Sequence, residues 1–156
     1  MVTRIDKLLS NNKFFLICLA FVVFNLGAYL FPVSYWYELN KVKIQDAKVG
    51  SPIYMAMDQT INRPFVGRRA VTIKHLNGTT NVNNAGETVC SHYGSNNYTS
   101  NDQLPEKLTL GWYTADICKS LPPGFYMATT IMHIEVVNFL QPKYVINESN
   151  IFEIKE

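Results

Sequence analysis

The residues able to do chemistry in this chain are few and scattered. His75, His92 and His133 are its histidines, and no two of them share a helix face at metal-ligand spacing. Each reads as a strand-surface or rim residue. Ser91 precedes His92, but neighbouring strand residues point to opposite faces and cannot form a nucleophile–base pair. The Gly-x-Ser-x-Gly turn of serine hydrolases does not occur, and the eight glycines form no phosphate-cradling loop. Cys90, His92 and Cys118 supply too few ligands for zinc, so no metal and no cofactor is expected. Paired carboxylates for glycoside chemistry could assemble in space, although nothing in the sequence marks a pair. The reading is therefore non-catalytic.

Two features could support binding. The stretch 94–105, GSNNYTSNDQLP, is a loop by composition. Tyr93, Asn97, Tyr98, Trp112 and Tyr113 lie in or beside it, and aromatic rings next to amides suit carbohydrate or protein contact. The plainer reading makes Trp112 the core ring of the domain. Arg68 and Arg69, with Arg63 nearby, form a small basic cluster suited to an anion or a lipid headgroup; a solvated hairpin flank is the ordinary alternative. From Ile44 onward nine basic residues face ten acidic ones, a net charge of −1. That balance excludes nucleic acid as a partner on electrostatic grounds.

Cys90 and Cys118 are expected to be bonded, because both lie in the part of the chain expected to be exported. Such a bond would stabilise a small domain by about 3–4 kcal/mol on chain-entropy grounds. Cys18 lies apart from them in an apolar run. Asn-x-Ser/Thr triplets at Asn77, Asn97 and Asn147 would be glycan acceptors in a eukaryotic secretory path, but they are common by chance in a chain this rich in Asn, Ser and Thr.

The elements that must position these residues divide at the amino terminus. Among 156 residues, residues 14–31 read FFLICLAFVVFNLGAYLF, without a charge. As a helix they would span about 27 Å, near the thickness of a bilayer core. Tyr35, Trp36 and Tyr37 follow, as an interfacial belt would. Residues 1–13 are thus expected as a basic cytoplasmic tail, 14–34 as an uncleaved transmembrane signal anchor, 35–47 as a stalk, and 48–156 as a domain on the far side. Cleavage after Ala28 is the competing reading. Asn25 could bond to a partner helix or be a tolerated amide. The expected location is the inner or plasma membrane, single-pass, with the C-terminal domain periplasmic or extracellular.

Beyond residue 48 no sustained helical period occurs. Short β-branched and aromatic runs alternate with Gly, Pro, Asn and Asp clusters. Strands are expected at 49–57, 69–76, 87–93, 108–113, 125–137 and 151–155, with 143–146 as a seventh. The class is all-β, an antiparallel β-sandwich of about seven strands.

The segment Leu121-Pro-Pro-Gly124-Phe-Tyr126-Met-Ala128 resembles the entry to the penultimate strand of immunoglobulin-like and fibronectin-type-III-like sandwiches, and residues 149–154 resemble their last strand. The resemblance implies that the Tyr126 hydroxyl bonds to backbone a few residues upstream. Ala128 stands where antibody domains carry a core cysteine, so their inter-sheet disulfide is not implied. The layout of tail, anchor and small β domain is also similar to membrane-anchored proteins of bacteria and their phages. The expected role is a tethered binding or accessory module of the cell envelope, with a protein partner in the same envelope or a carbohydrate. A structural subunit of a membrane complex, or an envelope hydrolase, is the alternative.

Overall fold

The computed structural model describes residues 2–76, 86–102, 104–105, 107–135 and 142–156. They form two compact units, residues 1–32 and 33–156.

The first unit is a helix, α1, Val2–Leu30. Its residues 12–27 are exposed or half-exposed. Two of these, Asn12 and Lys13, are polar, and Asn25 interrupts the apolar run that follows. No helix among the described residues is long and apolar enough to cross a membrane. This corrects the expectation of a single-pass anchor, and with it the membrane location, the orientation and the far-side placement of the domain. The Asn25 amide turns back to donate to the Phe21 carbonyl at 2.6 Å. Cys18 is a free, exposed thiol on this helix.

The second unit is mostly strand. A 3₁₀ turn at Val33–Tyr35 leads into β1, Tyr37–Ile44, which pairs antiparallel with β3, Met55–Ile61. A larger sheet contains β2 (Ala47–Lys48), β4 (Phe65–Leu76), β5 (Glu87–Tyr98), β6 (Gly124–Glu135), β7 (Lys143–Glu148) and β8 (Phe152–Lys155). Its order is β2-β8-β6-β4-β5, with β7 sharing the outer edge of β6 with β8. The β2–β8 pair is parallel and the other pairs are antiparallel. The expected antiparallel sandwich of about seven strands is therefore corrected to a two-stranded ribbon and a six-stranded mixed sheet.

The segment expected as a stalk is instead β1. Its Tyr37, Leu39, Val42 and Ile44 are buried and join the core, which also takes in Val71, Ile73, Tyr126, Met132, Ile134 and Phe152 of the large sheet. Trp36 and Tyr37 are 7% and 1% exposed, so this aromatic belt is largely core rather than membrane interface. Tyr35 is half-buried and packs edge-on to Trp36 at 4.9 Å. Arg63 lies 4.3 Å over the Tyr35 ring.

The strand ladder explains how the ribbon is held. The Asn150 side chain accepts from Ile44 N at 2.8 Å and donates to Ile44 O at 2.9 Å, closing both backbone groups at the end of β1. Asp46 then accepts from Glu153 N at 2.8 Å. The Tyr126 hydroxyl donates to the Pro122 carbonyl at 2.8 Å, the corner bond that the local resemblance implied.

Residues 108–113, expected as a strand, contain a short helix, α2, Leu110–Tyr113. Thr109 caps it by accepting from Trp112 N, and the Thr114 hydroxyl bonds back to the Leu110 carbonyl at 2.7 Å. Such side-chain to backbone bonds favour a helix end over a ladder. Helical spacing puts Leu110 and Tyr113 on the buried side and leaves Trp112 outside; a strand would have pointed Leu110 and Trp112 the same way. Ala115 and Asp116 follow with left-handed backbones, φ 48° and 62°, turning the chain toward Cys118. The sequon residue Asn77 and the strand end at Val137 lie outside the described residues.

Candidate binding cleft

A concave site is lined by residues of β3, β4 and β5, the loop that follows β5, and α2. Strand alternation sends Cys90, His92, Gly94, Asn96 and Tyr98 to one side of β5. On the adjoining strand, Phe65, Gly67, Arg69, Val71 and Ile73 share that side. The register pairs Phe65 with Tyr98, Gly67 with Asn96, Arg69 with Gly94 and Val71 with His92. A register shift beside Ile73 inserts an extra residue before Cys90, and Cys90 still pairs with Ile73, which is fully buried. A bulge of this kind re-aims side chains without ending the strand.

The floor of the cleft is thus Arg69, His92, Gly94 and Asn96. Met57 and Gln59 of β3 form one wall, with Tyr98 at the end. Ser95, Asn101, Asp102 and Leu104 close the loop side, and Trp112 stands opposite. The cavity measures about 550 Å³, within the usual range of small-ligand sites. A second hollow of about 340 Å³ shares Gln59, Asp102 and Leu104 with it and extends the depression along β3.

Each lining group is held by a specific partner. Tyr98 stacks on Phe65 with centroids 4.9 Å apart. Gly67 makes that stack fit: a Cβ there would sit 2.7 Å from both rings. Gln59 accepts from the Tyr37 hydroxyl at 3.0 Å, which leaves its NH₂ as the end available to a ligand. Asp102 accepts from both Thr99 N and Thr99 Oγ1, at 2.8 and 3.0 Å, and so pins the loop. Asn96 accepts from Asn97 N at 3.0 Å. Arg69 donates to the Tyr113 carbonyl at 2.9 Å, and its Cζ lies 4.1 Å over the Tyr113 ring. Burial raises the Tyr98 phenol above its ordinary value; Arg69 opposes the shift and Asp102 adds to it. The group therefore stays neutral and able to donate at ordinary pH.

The Cys90–Cys118 disulfide is formed, with a sequence separation of 28. It ties β5, which carries the floor, to the turn that follows α2, which carries Trp112. Cys118 is fully buried, and its backbone N–H bonds to the Thr114 hydroxyl.

The residues singled out for recognition divide. Tyr98 and Trp112 line the cleft. Tyr93 and Asn97 are exposed on the opposite side of β5, paired with Ala70 and Val66. Tyr113 lies beneath the cleft, 2% exposed, with its hydroxyl 3.3 Å from Thr130 Oγ1. Trp112 is 52% exposed, which corrects its reading as the core ring. The basic pair also divides, since consecutive strand residues face opposite ways. Arg69 enters the cleft, whereas Arg68 lies on the outer face with its Nε 2.7 Å from Glu135.

His92, Asn96, Asn101 and Asp102 were not singled out from the sequence as cleft residues. The signal for the first two was the period-two series from Cys90 to Tyr98, hidden by the loop-like composition of its second half. Among the remaining groups, Asn97 is the exposed sequon residue, while the Asn147 side chain is turned to the Leu39 carbonyl at 3.4 Å. Comparison with protein-family models, curated proteins and solved structures finds no match to this chain.

Proposed function

We propose that this protein is a non-catalytic binding module whose cleft takes a hydroxyl-rich small ligand of the saccharide type. The observation that carries the reading is the pairing of an exposed indole, Trp112, with amide side chains from three separate elements across a cavity of about 550 Å³. A sugar ring offers an apolar C–H face and a rim of hydroxyls. An exposed indole can cover the first, and Gln59, Asn96 and Asn101 can bond the second. The adjoining hollow along β3 gives room for a ligand longer than one ring.

Asp102 supports binding over hydrolysis. Both of its oxygens are engaged by Thr99, which suits a fixed acceptor that holds the loop. Glycoside cleavage calls for two carboxyl groups flanking the scissile bond, one of them acting as a proton donor. The disulfide also fits a preformed site, because it fixes the two elements that face each other across the cleft. Preorganisation of this kind lowers the ordering cost of binding.

The test is a saccharide panel immobilised on a surface and probed with the full chain. The reading expects capture by a subset of saccharides, lost in the Trp112→Ala variant. Absence of capture across the panel would contradict it.

A further inference from the structure

The charge of the ligand can be read from the two neighbouring arginines. Arg68 is compensated by the protein: its Nε lies 2.7 Å from Glu135 on the outer face of the sheet. Arg69, one residue on, faces the cleft and has no carboxylate within ion-pair distance among the described residues. Its Nε is buried and has no hydrogen-bond partner among them, so that N–H is left without an acceptor, while the residue itself lines the cleft. The group is also fixed in place, bonded to the Tyr113 carbonyl and lying on the Tyr113 ring. A held, half-buried, uncompensated cation in a cleft attracts an anion more strongly than the same charge would in water. Its planar fork matches a carboxylate edge.

The other charged group of the cleft limits how much negative charge fits. Asp102 stands in the loop wall, its two oxygens accepting from Thr99. It would repel a second negative group placed beside it, so a singly charged ligand fits better than a dianionic phosphate. We propose that the cleft selects acidic saccharides, those carrying one carboxylate per recognised ring, with Arg69 receiving the carboxylate and Trp112 the ring face. This rests on the saccharide reading above and narrows it.

The experiment uses the full chain and matched pairs of saccharides: uronic-acid or sialic-acid oligomers, and the same oligomers with the carboxyl reduced to an alcohol. The acidic member of a pair is expected to bind about tenfold more tightly, a difference that shrinks as salt is raised. Arg69→Gln should abolish the preference, and Arg68→Gln should keep it. The ligand pairs decide the question even if Arg69→Gln fails to fold. Equal or tighter binding of the neutral members would overturn the acidic preference while leaving the saccharide reading standing. Binding of neither member, for any pair, would overturn both.

Discussion

The guanidinium of Arg69 lies 4.1 Å over the ring of Tyr113 and donates to that residue's own carbonyl at 2.9 Å. One side chain of the large sheet thereby grips α2 from two directions, and the helix that presents Trp112 is held by a residue of the cleft floor. A hydrogen bond from a charged donor and a partly desolvated cation–π contact together suggest a cost of about 2 kcal/mol on removal. Arg69→Leu is expected to lower the unfolding free energy by about that amount in guanidinium chloride denaturation. Arg69→Lys should recover little of it, since an ammonium cannot both stack and bridge.

The Cys90–Cys118 bond joins the same two regions covalently. Replacing both cysteines with serine should destabilise the domain by about 3 kcal/mol. Thermal unfolding with and without a reductant checks this. The wild type should become less stable under reduction, and the double variant should be indifferent to it. Ligand affinity should fall in the double variant, because the two walls of the cleft would no longer be tethered.

Trp112 separates binding from stability. It is 52% exposed and lies outside the buried core, so Trp112→Ala should change the unfolding free energy by about 0.5 kcal/mol or less. The chain has one other tryptophan, Trp36, which is buried. Saccharide-dependent fluorescence is therefore expected to arise from Trp112 and to disappear in the variant.

Alkaline pH reports on the buried phenols. Burial raises the ionisation of Tyr37, Tyr98 and Tyr113 above the ordinary tyrosine value of about 10. The native state keeps these groups protonated where the unfolded chain would release the protons. Their stabilising effect is thus complete below about pH 10 and is lost as pH rises from there through the folded values. Ultraviolet difference titration checks this. Tyr37 and Tyr113, 1% and 2% exposed, should ionise only together with unfolding.

Much of the large sheet was legible because its strands alternate. The series from Phe125 to Glu135 and the turn before it follow from periodicity and proline chemistry, and the Tyr126 corner was implied by the local resemblance. The two-stranded ribbon was less visible. β1 was hidden by its position after an apolar run, where Tyr35-Trp36-Tyr37 reads equally well as an interfacial belt or as the start of a core strand. The first helix misled in the same way: residues 14–31 have the apolar composition of a span, but no helix among the described residues is long and apolar enough to cross a membrane. Near the site, residues 108–113 read as a strand and Trp112 as the core ring of the domain; a single helical turn capped by Thr109 left Trp112 outside and buried Tyr113. The cleft depends on pairing Gly67 with Asn96 and Arg69 with Gly94, a long-range register that no local pattern encodes.

The most direct measurement of the central claim is an amide chemical-shift map of the full chain during titration with a saccharide that it captures. The account predicts that the shifts concentrate at Gln59, Arg69, Asn96, Tyr98, Asn101 and Trp112, around one face of β5. Shifts confined to Tyr93, Arg68, His133 and Tyr144, on the other face of the same sheet, would contradict it.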